Sequence, residues 1–371
     1  MLEQVAAAFE RQDYRTAAEL LKEMLHKSPQ DPWVQFYLGR LHEVSGKLEA
    51  AEDIYRQLLR SAINSKIVAQ ARQGLQRLEA LAKLAEGIAT EQRQQAIAQA
   101  TADPSNTQMG VLVLEPVPTE IKTTAAQKFA QIMQLDPYTA RLQLPSRGWR
   151  LCRTGQIGEL RFLGQNLRKS GVPCFWATLA EIQRIQVFQV NYFQSAVPPA
   201  TVVCQNEQGQ LGSLSFNWSE VTQRVTGLLP IFEQVVDLDA RGKLKRKTQT
   251  QDYAQFCDLH LPSKLCILRL HDKSYQFQHD VAISKQQSQI NSQMTTRINW
   301  NNLTGCLDQQ LTHAKSWSDF TPFAETVLEQ TEMLGRLQSH IHLFRRTETN
   351  WDPAFHLYSG LVFVKNQAGC C

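Results

Sequence analysis

Four residues of metal-binding types lie close together in one short stretch of the sequence. The stretch is CDLHLPSKLCILRLHD, residues 257–272, and the four are Cys257, His260, Cys266 and His271. Cysteine thiolates and histidine imidazoles are common ligands of structural zinc, which usually takes them in pairs about two to four residues apart on turns where they converge. Only Cys257 and His260 have such a spacing. The residue types therefore suggest a zinc site as the first hypothesis.

The alternation of polar and apolar residues in this stretch predicts two strands joined through the turn PSK. Successive side chains of a strand point to opposite faces, so Cys257 and His260, three positions apart, project away from each other. The same holds for Cys266 and His271, five positions apart. Buried thiols and half-exposed histidines account for these residue types. We therefore predict that the stretch binds no metal.

The rest of the sequence offers few other candidates for catalysis or cofactor binding. His340 and His342 are a further close pair, but one pair supplies at most half of a metal site. The sequence contains no phosphate-binding loop, no dinucleotide-binding glycine motif, no HExxH pair and no GxSxG elbow. We expect a non-enzymatic protein without a cofactor. An enzyme or metalloprotein centred on the C-terminal region is the third hypothesis.

The chain begins with a repeated helical region, residues 1–88. Aligning residues 10–29, ERQDYRTAAELLKEMLHKSP, with residues 44–63, VSGKLEAAEDIYRQLLRSAI, shows a period of thirty-four residues and pairs Ala17 with Ala51. In the second copy, Gly39 lets two helices approach and Tyr55 fills the gap between them. The pattern resembles the tetratricopeptide repeat. A third helical stretch, KIVAQARQGLQRLEALAKLAE, is predicted to cap the stack.

The resemblance to tetratricopeptide repeats implies a protein-binding groove. In that family the first helix of each repeat lines a concave surface, and residues three to four positions apart share one helical face. The family's groove positions, carried onto this sequence, are Trp33, Phe36, Arg40 and Glu43 in the second copy and Leu2 and Phe9 in the first.

Residues 89–109, rich in Gln, Ala and Thr, are predicted to be a linker that is helical at its start. Residues 110–180 follow with the predicted order strand, helix, helix, strand, helix, strand. This order, with the turn KSGVP into the last strand, resembles the α+β fold of the C-terminal domain of the ribosomal stalk protein and of the adaptor of the Clp protease. Both are docking modules. The Gln-rich linker and the stretch MQLDPYTARLQLPSRGWRL also resemble tetratricopeptide proteins of cyanobacteria.

Positive charge is concentrated in this second region. Nine basic residues lie between Lys122 and Lys169, against the acidic Asp136 and Glu159, and a second basic run, RGKLKRK, occupies residues 241–247. Such clusters favour an acidic protein surface or nucleic acid phosphates. The residues predicted to contact an anionic partner are Lys122, Lys128, Arg141, Arg147, Arg150, Arg153, Lys243, Lys245, Arg246 and Lys247.

The third region, residues 185–371, is predicted to be a mixed α+β domain. The segments IQVFQVNYF, ATVVCQN and LGSLSFNW predict an antiparallel meander, and NNLTGCLDQQLTHA and PFAETVLEQTEMLGRLQ predict helices. The tail AFHLYSGLVFV alternates as a strand does. The fold class is therefore multidomain: all-α tetratricopeptide repeats, then a small α+β module, then a mixed α+β domain.

The composition agrees with a globular protein that stays in the cytosol. The 371 residues are 43% hydrophobic and 20% charged, with a net charge of +4. The first residues carry Glu3 and Glu10 where a signal peptide needs a basic end and an apolar run. We predict a scaffold, adaptor or assembly factor whose partner is another protein or complex. An RNA-binding protein that uses residues 122–169 and 241–247 is the alternative, and a peripheral position in a complex at a membrane surface is an alternative location.

Overall fold

A computed structural model describes residues 1–61, 63–238, 244–280, 295–343, 345 and 349–368. Contacts divide the chain into two compact units, Met1–Ala96 and Ile97–Cys371.

The first unit is helical, as the repeat pattern predicts. Two of its helices begin at side-chain caps: Asp13 accepts a hydrogen bond from the Thr16 amide, and Asp31, followed by Pro32, accepts one from the Trp33 amide. The last helix continues beyond the unit and makes the first part of the predicted linker, residues 89–101, helical. The helices are α1 (Leu2–Glu10), α2 (Tyr14–Lys27), α3 (Pro32–Val44), α4 (Leu48–Ser61) and α5 (Ser65–Thr101).

The second unit begins with a small sheet whose element order is the predicted one, strand, helix, helix, strand, helix, strand. The first strand lies in the centre and is antiparallel to both neighbours. The elements are β1 (Met109–Leu114), α6 (Lys122–Met133), α7 (Pro137–Gln143), β2 (Arg150–Gln156), α8 (Ile157–Lys169) and β3 (Cys174–Thr178).

Strand β1 is buried on both faces, which explains its uninterrupted apolar run. Leu112 and Leu114 pack against the core formed with α6 and α8. Val111 and Val113 point the other way, into a core shared with the rest of the unit. A strand covered on both sides has no face that must be polar.

The remaining strands form a sheet in the order β10-β7-β8-β9-β4-β5-β6. The pairs β10–β7 and β4–β9 are parallel, and the other neighbours are antiparallel, including the predicted meander β4–β5–β6, which is confirmed. The strands are β4 (Gln186–Ser195), β5 (Ala200–Gln205), β6 (Leu211–Phe216), β7 (Gln223–Leu238), β8 (Leu244–Leu261), β9 (Cys266–His271) and β10 (Lys315–Trp317).

Helices cover both faces of this larger sheet. One face buries Cys257 and Leu259 of β8 against Trp300 and Leu303 of a helix in the second half of the unit. The other face packs against the helices Phe320–Val327 and Trp351–Ala368 and against the smaller sheet. The helices of this region are α9 (Leu179–Gln183), α10 (Thr296–Gln310), α11 (Phe320–Val327), α12 (Thr331–Leu334) and α13 (Trp351–Ala368).

The strand predicted for the tail AFHLYSGLVFV is wrong, because the tail lies within helix α13. All residues from Ala354 to Phe363 are buried. A helix surrounded by protein is apolar on every side, so it lacks the 3.6-residue alternation that marks a surface helix. Gly360 allows a close approach: a Cβ atom there would lie 2.5 Å from the side chain of Ile182 in α9.

The predicted boundary between residues 180 and 185 lies inside a shared core. Trp149, which belongs to the smaller α+β region, contacts Trp317 of β10 and Tyr358 of α13 at ring-centroid distances of 4.8 and 5.7 Å. Residues 110–180 and 185–371 therefore pack together within one compact unit.

Candidate functional site

The repeats of the first unit pack around Tyr55, which is fully buried. Its ring lies between two glycines, one on α3 and one on α5: a Cβ atom at Gly39 would be 2.8 Å from it, and one at Gly74 would be 2.6 Å from it. The close approach predicted for Gly39 and Tyr55 is confirmed. The Tyr55 hydroxyl donates a hydrogen bond to Glu43 at 2.8 Å, and Arg77 donates two to the same carboxylate at 2.8 and 2.9 Å.

Glu43, one of the predicted groove residues, thus takes part in holding the repeats together. Burial would raise the pKa of its carboxyl, but the hydrogen bonds from Arg77 and Tyr55 outweigh this effect and lower the pKa below its usual value. The carboxylate is charged at neutral pH and its oxygens are occupied. A partner that binds Glu43 would have to compete with Arg77.

The aromatic side chains of the first unit form a connected row. Phe9 contacts Tyr14 and Tyr37 at ring-centroid distances of 5.9 and 5.5 Å, and Tyr37 contacts Trp33 at 6.4 Å. Because Phe9 is on α1 and Tyr37 on α3, the row crosses from the first repeat to the second. Tyr14, Trp33 and Tyr37 are half-buried, so each keeps part of its ring at the surface.

Two cations lie over this row of rings. The guanidinium of Arg40 lies 5.0 Å from the centre of the Phe9 ring, and the ammonium of Lys66 lies 5.9 Å from the centre of the Trp33 ring. Cation–π contacts of this kind hold a charge beside an apolar surface. We call the rings and cations together the aromatic patch; its members are Phe9, Tyr14, Trp33, Tyr37, Arg40 and Lys66.

The predicted groove residues are divided between surface and core. Leu2 and Trp33 are half-buried, whereas Phe9 and Phe36 are each only 4% exposed and belong to the packing between helices. A partner would reach little of either phenylalanine ring. Tyr37 was not predicted as a groove residue, although an aromatic side chain one position after Phe36 and four after Trp33 was a usable signal.

Three of the predicted basic residues in the second unit are already bonded. Lys122 donates to the Ser146 hydroxyl at 2.8 Å, and Arg153 pairs with Glu159 at 2.9 Å. Arg150 donates to a backbone carbonyl of α7 at 3.3 Å. The carboxylate of Glu159 offsets the charge of Arg153, whereas Lys122 and Arg150 keep their charge and use one donor within the protein.

The other basic residues predicted here lie in exposed positions. Lys128 on α6, Arg141 on α7 and Arg147 after α7 are exposed to solvent. Beside them on α7, the side chains of Tyr138 and Leu142 are also exposed, at 73% and 61%. This surface therefore combines positive charge with apolar area, and its role as an anionic-partner contact stays a prediction.

The second basic run falls on the hairpin of β7 and β8. Arg246 and Lys247 are exposed on β8, opposite residues of β7 in the antiparallel ladder. Lys243 lies outside the described residues, and so does the side chain of Lys245.

The stretch that carries Cys257 and His260 folds as the predicted pair of strands, β8 and β9, joined through a short 3₁₀ turn at Pro262–Lys264. Cys257 and Cys266 pack in the core beneath α10. On the opposite face His260 contacts Ser359 of α13 at 3.0 Å. The predicted placement of thiols and imidazoles on opposite faces is confirmed, but the prediction of half-exposed histidines is wrong, because His260 is 0% and His271 2% exposed.

The polar residues of that opposite face form a buried cluster. Arg269 donates two hydrogen bonds to Asp258, at 2.9 and 2.8 Å, and Ser359 donates to Asp258 at 2.6 Å. We call Asp258, His260, Arg269 and Ser359 the buried polar cluster. All four are at most 1% exposed.

The order of hydrogen bonds in this cluster differs from that of a nucleophilic serine. The Ser359 hydroxyl donates its hydrogen bond to Asp258. His260 must therefore donate from Nε2 to the serine oxygen. In a catalytic triad the histidine instead accepts the serine proton and the carboxylate binds the histidine. The cluster therefore joins elements and does not activate Ser359.

The structure also bears on metal binding and on membrane insertion. Within the described part of the chain, no group of three or more His, Cys, Asp or Glu is arranged to hold a metal ion. His340 lies near Glu207, with 3.4 Å between ring nitrogen and carboxylate oxygen, and beside His356. Among the described residues, no helix has both the length and the apolar character that crossing a bilayer requires.

Comparison with known proteins identifies one segment. The sequence model of the tetratricopeptide repeat family matches residues 8–75, which run from α1 into α5. No curated protein and no solved structure matches the chain. The tetratricopeptide segment indicates a role in binding other proteins. The likeness of residues 110–180 to the stalk and Clp-adaptor modules, and the likeness to cyanobacterial proteins, stay predictions.

Proposed function

We propose that this protein is a non-enzymatic scaffold or adaptor that binds a partner protein through the aromatic patch of its first unit. The observation that carries the proposal is the tetratricopeptide match over residues 8–75, together with half-exposed rings and cations on the helices of that segment. Aromatic residues and arginine are the types that most often anchor protein interfaces. The same role includes that of an assembly factor, which holds one component while another joins it.

The chemistry of the patch defines the kind of partner. Trp33 and Tyr37 offer partly exposed rings, and Arg40 and Lys66 hold positive charge over the neighbouring rings. A partner segment with apolar side chains next to one or more carboxylates matches both features. We therefore expect an acidic, partly apolar peptide segment and not a uniformly charged one.

The experiment is purification of the tagged full-length chain from cells of its native host, with identification of the proteins that accompany it. The double variant Trp33→Ala, Arg40→Ala is expected to lose the partner, because truncation of an interface anchor commonly costs on the order of 2 kcal/mol or more. The melting temperature should fall by only a few degrees, since both side chains are partly exposed and Phe9, Phe36 and Tyr55 remain.

A matched control keeps this test specific. The double variant Arg56→Ala, Ile63→Ala removes an arginine and a large apolar side chain from exposed positions on or beside α4, outside the aromatic patch. It should retain the partner. If the patch variant still captures the partner, or if the control loses it equally, the aromatic patch is not the binding surface.

The same purification distinguishes the alternative partner. Recovery of RNA instead of protein, with an affinity that falls steeply as salt rises, would favour the basic residues of segments 122–169 and 241–247. Retention of that RNA by the patch variant would then separate the two surfaces.

A further inference from the structure

A pocket of about 370 Å³ lies at the edge of helix α10 in the second unit, and its lining includes no member of the buried polar cluster. Its floor is the sheet face that carries Arg224 and Thr226 of β7 and Cys257 of β8. One wall comes from α10, through Trp300, Thr304 and Asp308, which follow one another at one-turn intervals. The other wall is the segment after β10, with Ser318 and Thr321. Pockets of roughly 300–1,000 Å³ are the usual size for small organic ligands.

Arg224 is the one strongly buried cation that lines this pocket. The residue is only 9% exposed, and its Nε atom is buried without a hydrogen-bond partner among the described residues. Its Nη1 atom pairs with Asp308, whose side chain is 67% exposed. Buried polar groups are normally bonded, and a buried charge needs a partner. One edge of the guanidinium is thus left without its expected acceptor.

Among its neighbours, Cys257 shares a side-chain hydrogen bond with Arg224, but a thiol is only a weak acceptor. Burial raises the pKa of the Cys257 thiol, so the sulfur stays protonated and carries no compensating charge. Thr226 donates its hydroxyl to the carbonyl oxygen of Trp317 at 3.5 Å, and Thr304 donates to that of Asn301 at 3.0 Å. The pocket therefore has one cation, weakly neutralised by an exposed carboxylate, beside hydroxyl groups and an indole ring.

We infer that this pocket binds a small monocarboxylate with an apolar or aromatic body. A carboxylate oxygen would accept a hydrogen bond from the guanidinium of Arg224, while the body would lie against Trp300. An arginine fork suits the planar carboxylate. A phosphate dianion is disfavoured because the lining residues contain a single cation, already paired with Asp308.

Because Asp308 and Arg224 carry opposite charges, substitutions at these two positions should change the affinity for the ligand in opposite directions. Phenylacetate serves as the probe, titrated into the full-length protein by calorimetry, and a Kd of about 1 mM or lower is expected for a ligand of that size. Asp308→Asn should tighten binding roughly fivefold, because it removes a negative charge next to the ligand carboxylate. Arg224→Met should abolish binding. Glu332→Gln, which breaks the exposed pair with Arg336 elsewhere, should change nothing.

Thermal unfolding separates a binding role of Arg224 from a structural one. A methionine fills similar space without a partly unpaired charge, so Arg224→Met should keep or raise the melting temperature of the free protein. The inference is overturned if phenylacetate at about 10 mM fails to bind both the wild type and Asp308→Asn. It is also overturned if Asp308→Asn leaves the Kd unchanged, if phenyl phosphate or inorganic phosphate binds more tightly than phenylacetate, or if Arg224→Met lowers the melting temperature while binding persists.

Discussion

At the scale of single residues, the first unit depends on two glycines that face one tyrosine. Gly39 and Gly74 lie on either side of the Tyr55 ring, with no space for a methyl group at either position. Gly87 is in the same helix as Gly74, but a Cβ atom there would meet nothing within 4 Å. One long helix thus contains a glycine required for packing and another that is not.

This contrast predicts opposite effects of the same substitution. Gly74→Ala should lower the free energy of unfolding by roughly 1–3 kcal/mol, because the added methyl group forces Tyr55 to move. Gly87→Ala should raise it by up to about 1 kcal/mol, since alanine favours the helix. Urea denaturation of both variants measures the difference. Equal changes in the two variants would contradict the close packing around Tyr55.

At the scale of elements, one carboxylate joins two strands and a helix. Asp258 of β8 binds Arg269 of β9 and Ser359 of α13, all of them buried. Strand β8 also carries Asp252, which pairs with Lys273 at 2.6 Å in an exposed position. The two aspartates therefore allow the same change to be made in a buried and in an exposed ion pair of one strand.

Asp258→Asn should cost roughly 3–5 kcal/mol of stability, because it leaves the buried Arg269 charge without its partner. Asp252→Asn should cost no more than about 1 kcal/mol, since exposed pairs contribute little. Chemical denaturation of the two variants gives both values. If Asp258→Asn is no more costly than Asp252→Asn, the buried polar cluster does not hold α13 to the sheet.

At the scale of the whole molecule, buried histidines in the second unit link stability to pH. Burial lowers the pKa of His260 and of His271 to about 4, and it also lowers the pKa of His356 well below its usual value. The charge of Asp258 raises the pKa of His260 and His271 and so opposes the effect of burial, whereas the charge of Arg269 lowers the pKa of all three histidines further. His342 also lowers the pKa of His271, and His340 lowers the pKa of His356. The folded protein therefore keeps these rings neutral under conditions in which the unfolded chain protonates them.

The sign of the pH effect follows from these shifts. Above pH 6.5 the rings are neutral in both states and contribute nothing; below it only the unfolded chain takes up protons, so stability falls until about pH 4. The full loss is roughly 3 kcal/mol for each of His260 and His271. Urea denaturation at pH 7.5, 6 and 5 should show it, with a smaller slope for His271→Gln. An unchanged slope in that variant would contradict the assignment.

Local sequence pattern determined much of the architecture. The period of thirty-four residues, the glycine and tyrosine of the second repeat, the order of elements in residues 110–180 and the alternation around Cys257 all correspond to the structure. Each depends on contacts between neighbours in sequence or on a repeated spacing. Such patterns are visible in a single chain because helices and strands expose their periodicity directly.

Tertiary packing decided the rest. Phe9 and Phe36 share a helical spacing with Trp33, yet only the packing of the adjoining helices shows that they are buried and that Tyr37 takes part in the patch. Helix α13 shows no amphipathic pattern because it is covered on all sides. The pocket around Arg224 unites residues more than 70 positions apart, Arg224 with Trp300 and Asp308. Sequence spacing carries no information on such contacts, because they form only when separate elements pack together.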